Sequence, residues 1–147
     1  MTEVLERMDL VRAEFDRVSS TLPGDRGARK AALDHFVGAG FPTPRQERWR
    51  FTDLHEVEAR FFAIPDSNAD LSTVRGMSDG TLRNCQIAFV DGRYVPELSH
   101  GAVPAGLTIA PFSHAYEMHR DEIEQELGKI VSWTENSLVA WNSAFWR

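Results

Sequence analysis

His114, His119 and Glu122 are the residues whose types suggest a metal, because imidazole and carboxylate together suit zinc or iron. Their spacing argues against a centre. His114 and His119 are five positions apart, which puts them about 140° apart around a helix rather than on one face. His119 and Glu122 do share a face, yet two ligands on an exposed helix hold a metal weakly, so no metal site is expected. His35, His55 and His100 have no evident partner in the sequence. Cys85 is the single cysteine, so it can form no internal disulfide and cannot by itself supply a multi-thiolate site. At the start of a predicted strand it reads as a small buried hydrophobe rather than a reactive thiol.

Arg45, Arg48 and Arg50 surround Trp49, a combination that could hold phosphates on the guanidinium groups and stack a base on the indole. The competing reading buries Trp49 against helices and leaves the arginines in water or paired with Glu47 and Asp53, and it is the one adopted here. The local marks of serine hydrolases, zinc proteases and nucleotide-binding loops are all absent from the sequence, and no catalytic residue is assigned. The chain is therefore expected not to be an enzyme and to carry no cofactor.

The 147 residues, 42% hydrophobic and 26% charged, suit one globular domain spanning 1–147. A net charge of −6 argues against a protein whose whole surface binds nucleic acid. The start of the chain is acidic and has no apolar run of signal length, and no stretch approaches a membrane span, so a cytoplasmic protein is expected.

Val4, Met8, Val11, Phe15 and Val18 recur at spacings of four and three and predict a helix over about 3–20. The Pro23-Gly24-Asp25 turn ends it, and Ala31, Ala32, Leu33, Phe36 and Val37 predict a second helix over about 26–38, antiparallel to the first. Leu54, Val57, Ala59, Phe61 and Phe62 suggest a short third helix, and residues 66–80 read as a loop. Asp91-Gly92 between Ile87-Ala88-Phe89-Val90 and Arg93-Tyr94-Val95-Pro96 predicts a hairpin pairing Val90 with Arg93, Phe89 with Tyr94, Ala88 with Val95 and Ile87 with Pro96. Leu107–Ala110 is a candidate further strand that should join beside 85–90 or else avoid the unpaired outer side at Pro96. A helix over about 114–127 capped by Ser113, and a last helix from Ser132 or Thr134 with Leu138, Trp141 and Phe145 on one face, complete the chain. The fold class expected is α+β, mainly helical, with a small antiparallel β element at about 84–110 between the N-terminal and C-terminal helices.

Between the second and third helices, Gly40-Phe41-Pro42-Thr43-Pro44 forms a stiff connector, and Thr52 or Asp53 can cap the helix that follows. Gly40, Pro42, Thr43, Glu47, Trp49, Arg50, Phe51, Thr52, Asp53 and Leu54 stand where the N-terminal signature of the SufD family has them, and the chain resembles that family. Two further blocks match in the same order. They are Phe89–Pro96 followed by Gly106–Phe112, and Leu138 with Asn142-Ser143-Ala144-Phe145.

The resemblance implies a non-catalytic N-terminal domain of a subunit of the SUF iron–sulfur cluster assembly scaffold, with SufB and the ATPase SufC as partners. It also implies that the chain stops before the β-helix core of the longer proteins, and it transfers no catalytic or cluster-ligating residue. Gly40, Pro42, Glu47, Trp49, Thr52 and Asp53 are then structural signature residues. Trp141, Phe145 and Trp146 are candidates for an interaction surface, either as a docking face or as a homodimer contact, against the alternative that the last helix packs fully within the domain. The reading from another class is a free-standing protein- or nucleic-acid-binding module that uses connector 44–52 or loop 64–80.

Overall fold

The computed structural model describes residues 2–60, 63–64, 71–72 and 85–146. Six α-helices and one two-stranded antiparallel sheet lie among them, so the fold is α+β and mainly helical. Met1–Ala63 with Phe112–Arg147 form one compact unit, and Ile64–Pro111 form another.

In the helical unit, α1 (Thr2–Val18) and α2 (Arg26–Ala39) follow the apolar stripes of the sequence. Met8, Phe15 and Val18 are buried from α1, and Ala32, Leu33 and Phe36 from α2, while the side chain of Val4 lies outside the described residues. The two helices run antiparallel, because Asp16 near the end of α1 pairs with Arg26 at the start of α2 at 3.6 Å and Arg12 pairs with Asp34 at 2.7 Å. Asp25 starts α2 by accepting the Ala28 N–H at 2.6 Å. Gly40 ends it with φ +70°, the left-handed conformation for which glycine is suited, and donates its N–H to the Phe36 carbonyl at 2.7 Å. A 3-10 turn, Glu47–Trp49, leads to the short α3, His55–Glu58, where Asp53 rather than Thr52 takes the His55 N–H at 2.9 Å. Phe61, Phe62 and most of the 66–80 stretch lie outside the described residues.

The predicted helix over 114–127 is two helices, α4 (Phe112–Met118) and α5 (Arg120–Glu126), broken at His119 with φ −134° and ψ 40°. Ser113 lies inside the first turn instead of capping it. An unbroken helix would set residues 116 and 124 about 12 Å apart along its axis. The break lets the Tyr116 hydroxyl donate to the Glu124 carboxylate while Arg120 lies over the Tyr116 ring at 5.1 Å. The last helix, α6, begins at Ser137 rather than at Ser132 or Thr134. Those two hydroxyls bond to each other at 2.7 Å and close a turn of their own. Asn136 is the cap, its Oδ1 accepting the Leu138 and Val139 N–H groups at 2.9 and 3.3 Å.

Two adjoining clusters make the core of this unit. Met8, Phe36 and Ala140 gather Phe41, Trp133 and Trp141 around them, while Phe15, Leu33 and Ala144 gather Phe145. The small Ala140 and Ala144 of α6 are fully enclosed, which lets that helix approach α2 closely.

In the other unit, β1 (Phe89–Val90) and β2 (Arg93–Tyr94) pair in the predicted register, with Asp91 at φ 51° and Gly92 at φ 73° in the turn. The Val95 N–H reaches the Ala88 carbonyl at 3.0 Å, as expected. The pairing of Ile87 with Pro96 does not form. Pro96 instead opens a 3-10 turn, Pro96–Leu98, and Gln86 bridges to His100. Nor is Leu107–Ala110 a strand. Leu107 bonds back to Pro104 at 3.1 Å in a turn through Gly106, and Pro111, which has no N–H to donate, follows the run.

Candidate functional site

The signature segment and the start of α6 face each other across a cleft of about 270 Å³, lined by His35 and Ala39 of α2, Pro42, Glu47 and Trp49 of the connector, and Glu135 to Ser137. Three of the signature residues named from the sequence therefore share one wall. Pro42 is buried and Trp49 half-buried, while Glu47 is exposed. His35 packs edge-on against Trp133 at 5.8 Å and fixes the α2 side of the cleft. Gly40 sets the direction of the connector and Asp53 ends it at α3, so these two residues place the wall.

The arginines of the connector do not converge. Arg50 pairs with Glu47 at 2.9 Å and lies over the ring of Phe51 at 4.3 Å, while Arg45 and Arg48 are exposed. Phe51 itself is 87% exposed, which the sequence pattern did not signal.

Trp141, Phe145 and Trp146 are all half-buried within the helical unit. Trp141 stacks on Phe36 at 5.2 Å and meets Phe41 edge-on at 5.1 Å, and Phe145 meets Phe15 edge-on at 5.9 Å. Trp146 sits between Phe112, at 6.0 Å, and the guanidinium of Arg29, at 5.9 Å.

Arg29 is the residue that sequence reasoning missed. It is 4% exposed and has no carboxylate among its hydrogen-bond partners. Its guanidinium instead donates to the Pro23 carbonyl from two nitrogens and to the Ser143 and Ala144 carbonyls at 3.4 and 3.2 Å. These last two are free carbonyls at the C-terminus of α6, where a positive charge is favoured. Loss of solvent pulls its pKa down from the usual value, and the nearby Tyr116 opposes that shift. The clue in the sequence was position: residues 29, 32, 33 and 36 share the buried face of α2.

Tyr116 carries the other distinctive environment. Its hydrogen bond to Glu124, then burial, then the charge of that carboxylate hold its pKa above the ordinary phenol value of about 10. The neutral phenol is thus favoured by folding, and the stability this confers is present below about pH 10 and lost as pH rises through the folded-state pKa. The absorbance titration of the wild-type protein minus that of Tyr116→Phe should show a phenolate appearing late, above the pH at which a free tyrosine ionises. A curve centred at or below the free value would contradict the Tyr116–Glu124 bond.

His114, His119 and Glu122 do not assemble. No group of three or more His, Cys, Asp or Glu side chains able to hold a metal occurs among the described residues. Cys85, expected to be buried, is exposed and precedes the paired part of the hairpin. Among the described residues no helix is long and apolar enough to cross a membrane.

A protein-family description, the SufBD protein N-terminal region, matches residues 20–147, which take in the connector, the cleft, the hairpin and α6. The chain is similar to an iron–sulfur cluster assembly SufBD family protein of Synechocystis, at 26% identity over 109 residues, covering 73% of this chain and 24% of that protein. It is also similar to the iron–sulfur cluster assembly protein SufD of Escherichia coli K12, at 30% identity over 79 residues, covering 53% of this chain and 18% of that one. The matched segments thus span a quarter or less of these relatives. No solved structure gives a significant match. With the match spanning residues 20–147, from before α2 through the connector and the cleft to the helix that Arg29 caps, the chain belongs to the SufBD family and carries its N-terminal region.

Proposed function

We propose that this chain acts as a non-catalytic N-terminal domain of a SufD-like subunit in cytoplasmic iron–sulfur cluster assembly, working alongside SufB and SufC. The observation that carries the reading is the family match over residues 20–147 together with two relatives whose names state iron–sulfur cluster assembly. The signature residues support a structural role: Gly40 ends α2, Asp53 accepts the His55 N–H at the entry to α3, and Pro42 and Trp49 wall a cleft against α6. The C-terminal aromatics are engaged within the domain, so a homodimer through them would have only their half-exposed edges to use.

The test is a pull-down of this chain, and of the same gene read through to its natural stop codon, against SufB and SufC of the same source. Capture by the short chain makes it a docking domain in its own right. Capture by the longer form alone makes it an accessory to the assembly surface, and capture by neither form rejects the reading. The nucleic-acid alternative keeps one supporting observation, the exposed Phe51 with Arg50 over its ring. It requires RNA or DNA binding that weakens steeply with salt.

A further inference from the structure

Nothing in the residues around His119 asks for a break. Positions 114–127 hold no glycine or proline and are mostly good helix formers such as Ala, Glu, Met, Arg, Gln and Leu. On one continuous helix Phe112, Tyr116, Ile123 and Leu127 would lie within about 60° of each other as a single apolar stripe. Gly128, at φ +80°, would stop that helix where α5 already stops. Yet His119 leaves the helical region, and α5 starts with no side-chain cap. His119 still donates to the Ala115 carbonyl at 2.8 Å and accepts from the Ile123 N–H at 3.0 Å. The three bonds between these, from the N–H groups of Arg120, Asp121 and Glu122 to the carbonyls of Tyr116, Glu117 and Met118, are not made.

Little holds α5 where it lies. All its residues are exposed except the half-buried Ile123, and among the described residues its polar ties to another element are two contacts of Tyr116. These two are not equivalent. Arg120 over the Tyr116 ring is a pair four positions apart, which an unbroken helix also provides. The hydrogen bond from Tyr116 to Glu124 spans eight positions and belongs to the bent form alone.

We propose that α4 and α5 form a two-state hinge at His119, in which the Tyr116–Glu124 hydrogen bond latches the bent form and its release lets residues 112–126 join as one helix. The rest of the helical unit can stay in place. Phe112 against Trp146 and the buried Tyr116 hold α4, and Trp133 stays beside His35. Between α5 and Trp133 the chain is folded into turns at Gly128 and Ser132 rather than drawn taut. Its six steps from Leu127 can span about 20 Å when extended, against a length of about 10 Å for α5.

Turning α5 carries with it the apolar loop that follows, where Ile130 is 97% and Val131 51% exposed, and leaves α2 and α6 packed. Glu124 is the exposed half of the latch. A cationic group that draws its carboxylate off the hydroxyl therefore shifts the balance to the straight form.

Nuclear magnetic resonance of the full chain reads both forms. In the wild type the Cα shift of His119 should be non-helical, and the amides of Arg120, Asp121 and Glu122 should exchange at close to the rate of a free peptide. Tyr116→Phe and Glu124→Ala each remove the latch. Each should move the His119 shift into the helical range and slow those three amides by about tenfold or more, the reverse of what losing a hydrogen bond does to a helix that frays. Gln125→Ala adds the same helix-favouring residue without touching the latch and should leave both readouts at their wild-type values. Amides 120–122 that stay fast in both latch variants, while those of α2 and α6 keep their protection, would overturn the proposal. So would protection of the three amides already in the wild type, or an equal gain from Gln125→Ala. If Tyr116→Phe also strips protection from α2, the variant at the exposed Glu124 decides alone.

Discussion

Replacing Arg29 by methionine lowers the free energy of unfolding by about 3 kcal/mol, although methionine fills much of the same volume. The side chain is 4% exposed, and its guanidinium satisfies the buried carbonyls of Ser143 and Ala144 and the part-buried carbonyl of Pro23. Methionine leaves the Ser143 and Ala144 acceptors buried and unpaired, a penalty of about 1–3 kcal/mol for each group left so, partly relieved where the structure opens to water. It also removes the positive charge at the C-terminus of α6 and the cation held beside Trp146. Arg29→Lys is expected to recover less than half of the loss, because an ammonium cannot span carbonyls on two separate segments as a planar fork does. Urea unfolding of the three proteins, followed by circular dichroism, checks this. A methionine variant within 1 kcal/mol of wild type would mean that the guanidinium is not what closes the α2–α6 junction.

Phe36→Ala is expected to cost about 4 kcal/mol. Phe36 is fully buried at the centre of the core, with Phe41 edge-on and Trp141 stacked, both at 5.2 Å. Truncation opens a cavity between α2 and α6 that neither helix can collapse into, because Ala140 already brings their backbones close. Phe36→Leu should cost less than half as much. The change has a local reporter, since Trp141 loses its stacked neighbour and its emission should shift to longer wavelength before global unfolding. A loss below about 2 kcal/mol would indicate a site able to repack, in conflict with the enclosure seen.

How much of this was legible in the sequence depended on the range over which each feature is decided. The register of the hairpin beside its turn was readable, because the sterics of Asp91-Gly92 fix a two-residue turn and the turn fixes the register, while the far end, where Ile87 was expected opposite Pro96, was not. The stripes of α1 and α2 were readable because burial of one helical face imposes its period on the apolar residues. Where a local rule had rival solutions it failed. Ser132, Thr134 and Asn136 can each cap a helix, and the choice of Asn136 follows from where α6 must lie to put Ala140 and Ala144 against α2. The helix that the apolar spacing predicts through His119 is broken there, and the break brings Tyr116 to Glu124, a contact no helical spacing provides.

The candidate site divides in the same way. The sequence by itself determined the stiff connector, the stop of α2 at Gly40 and the turn at Asp53 that leads into α3, since glycine, proline and short carboxylates act on the backbone within a few residues. Tertiary structure alone decided that this connector forms a cleft with Glu135–Ser137, that Arg29 is buried 114 residues away in sequence from one of its acceptors, and that Cys85 stays in solvent. Such pairings depend on which surfaces meet when the chain closes. A guanidinium on an apolar stripe gives no sign of the carbonyls that will receive it until the helix carrying them has docked.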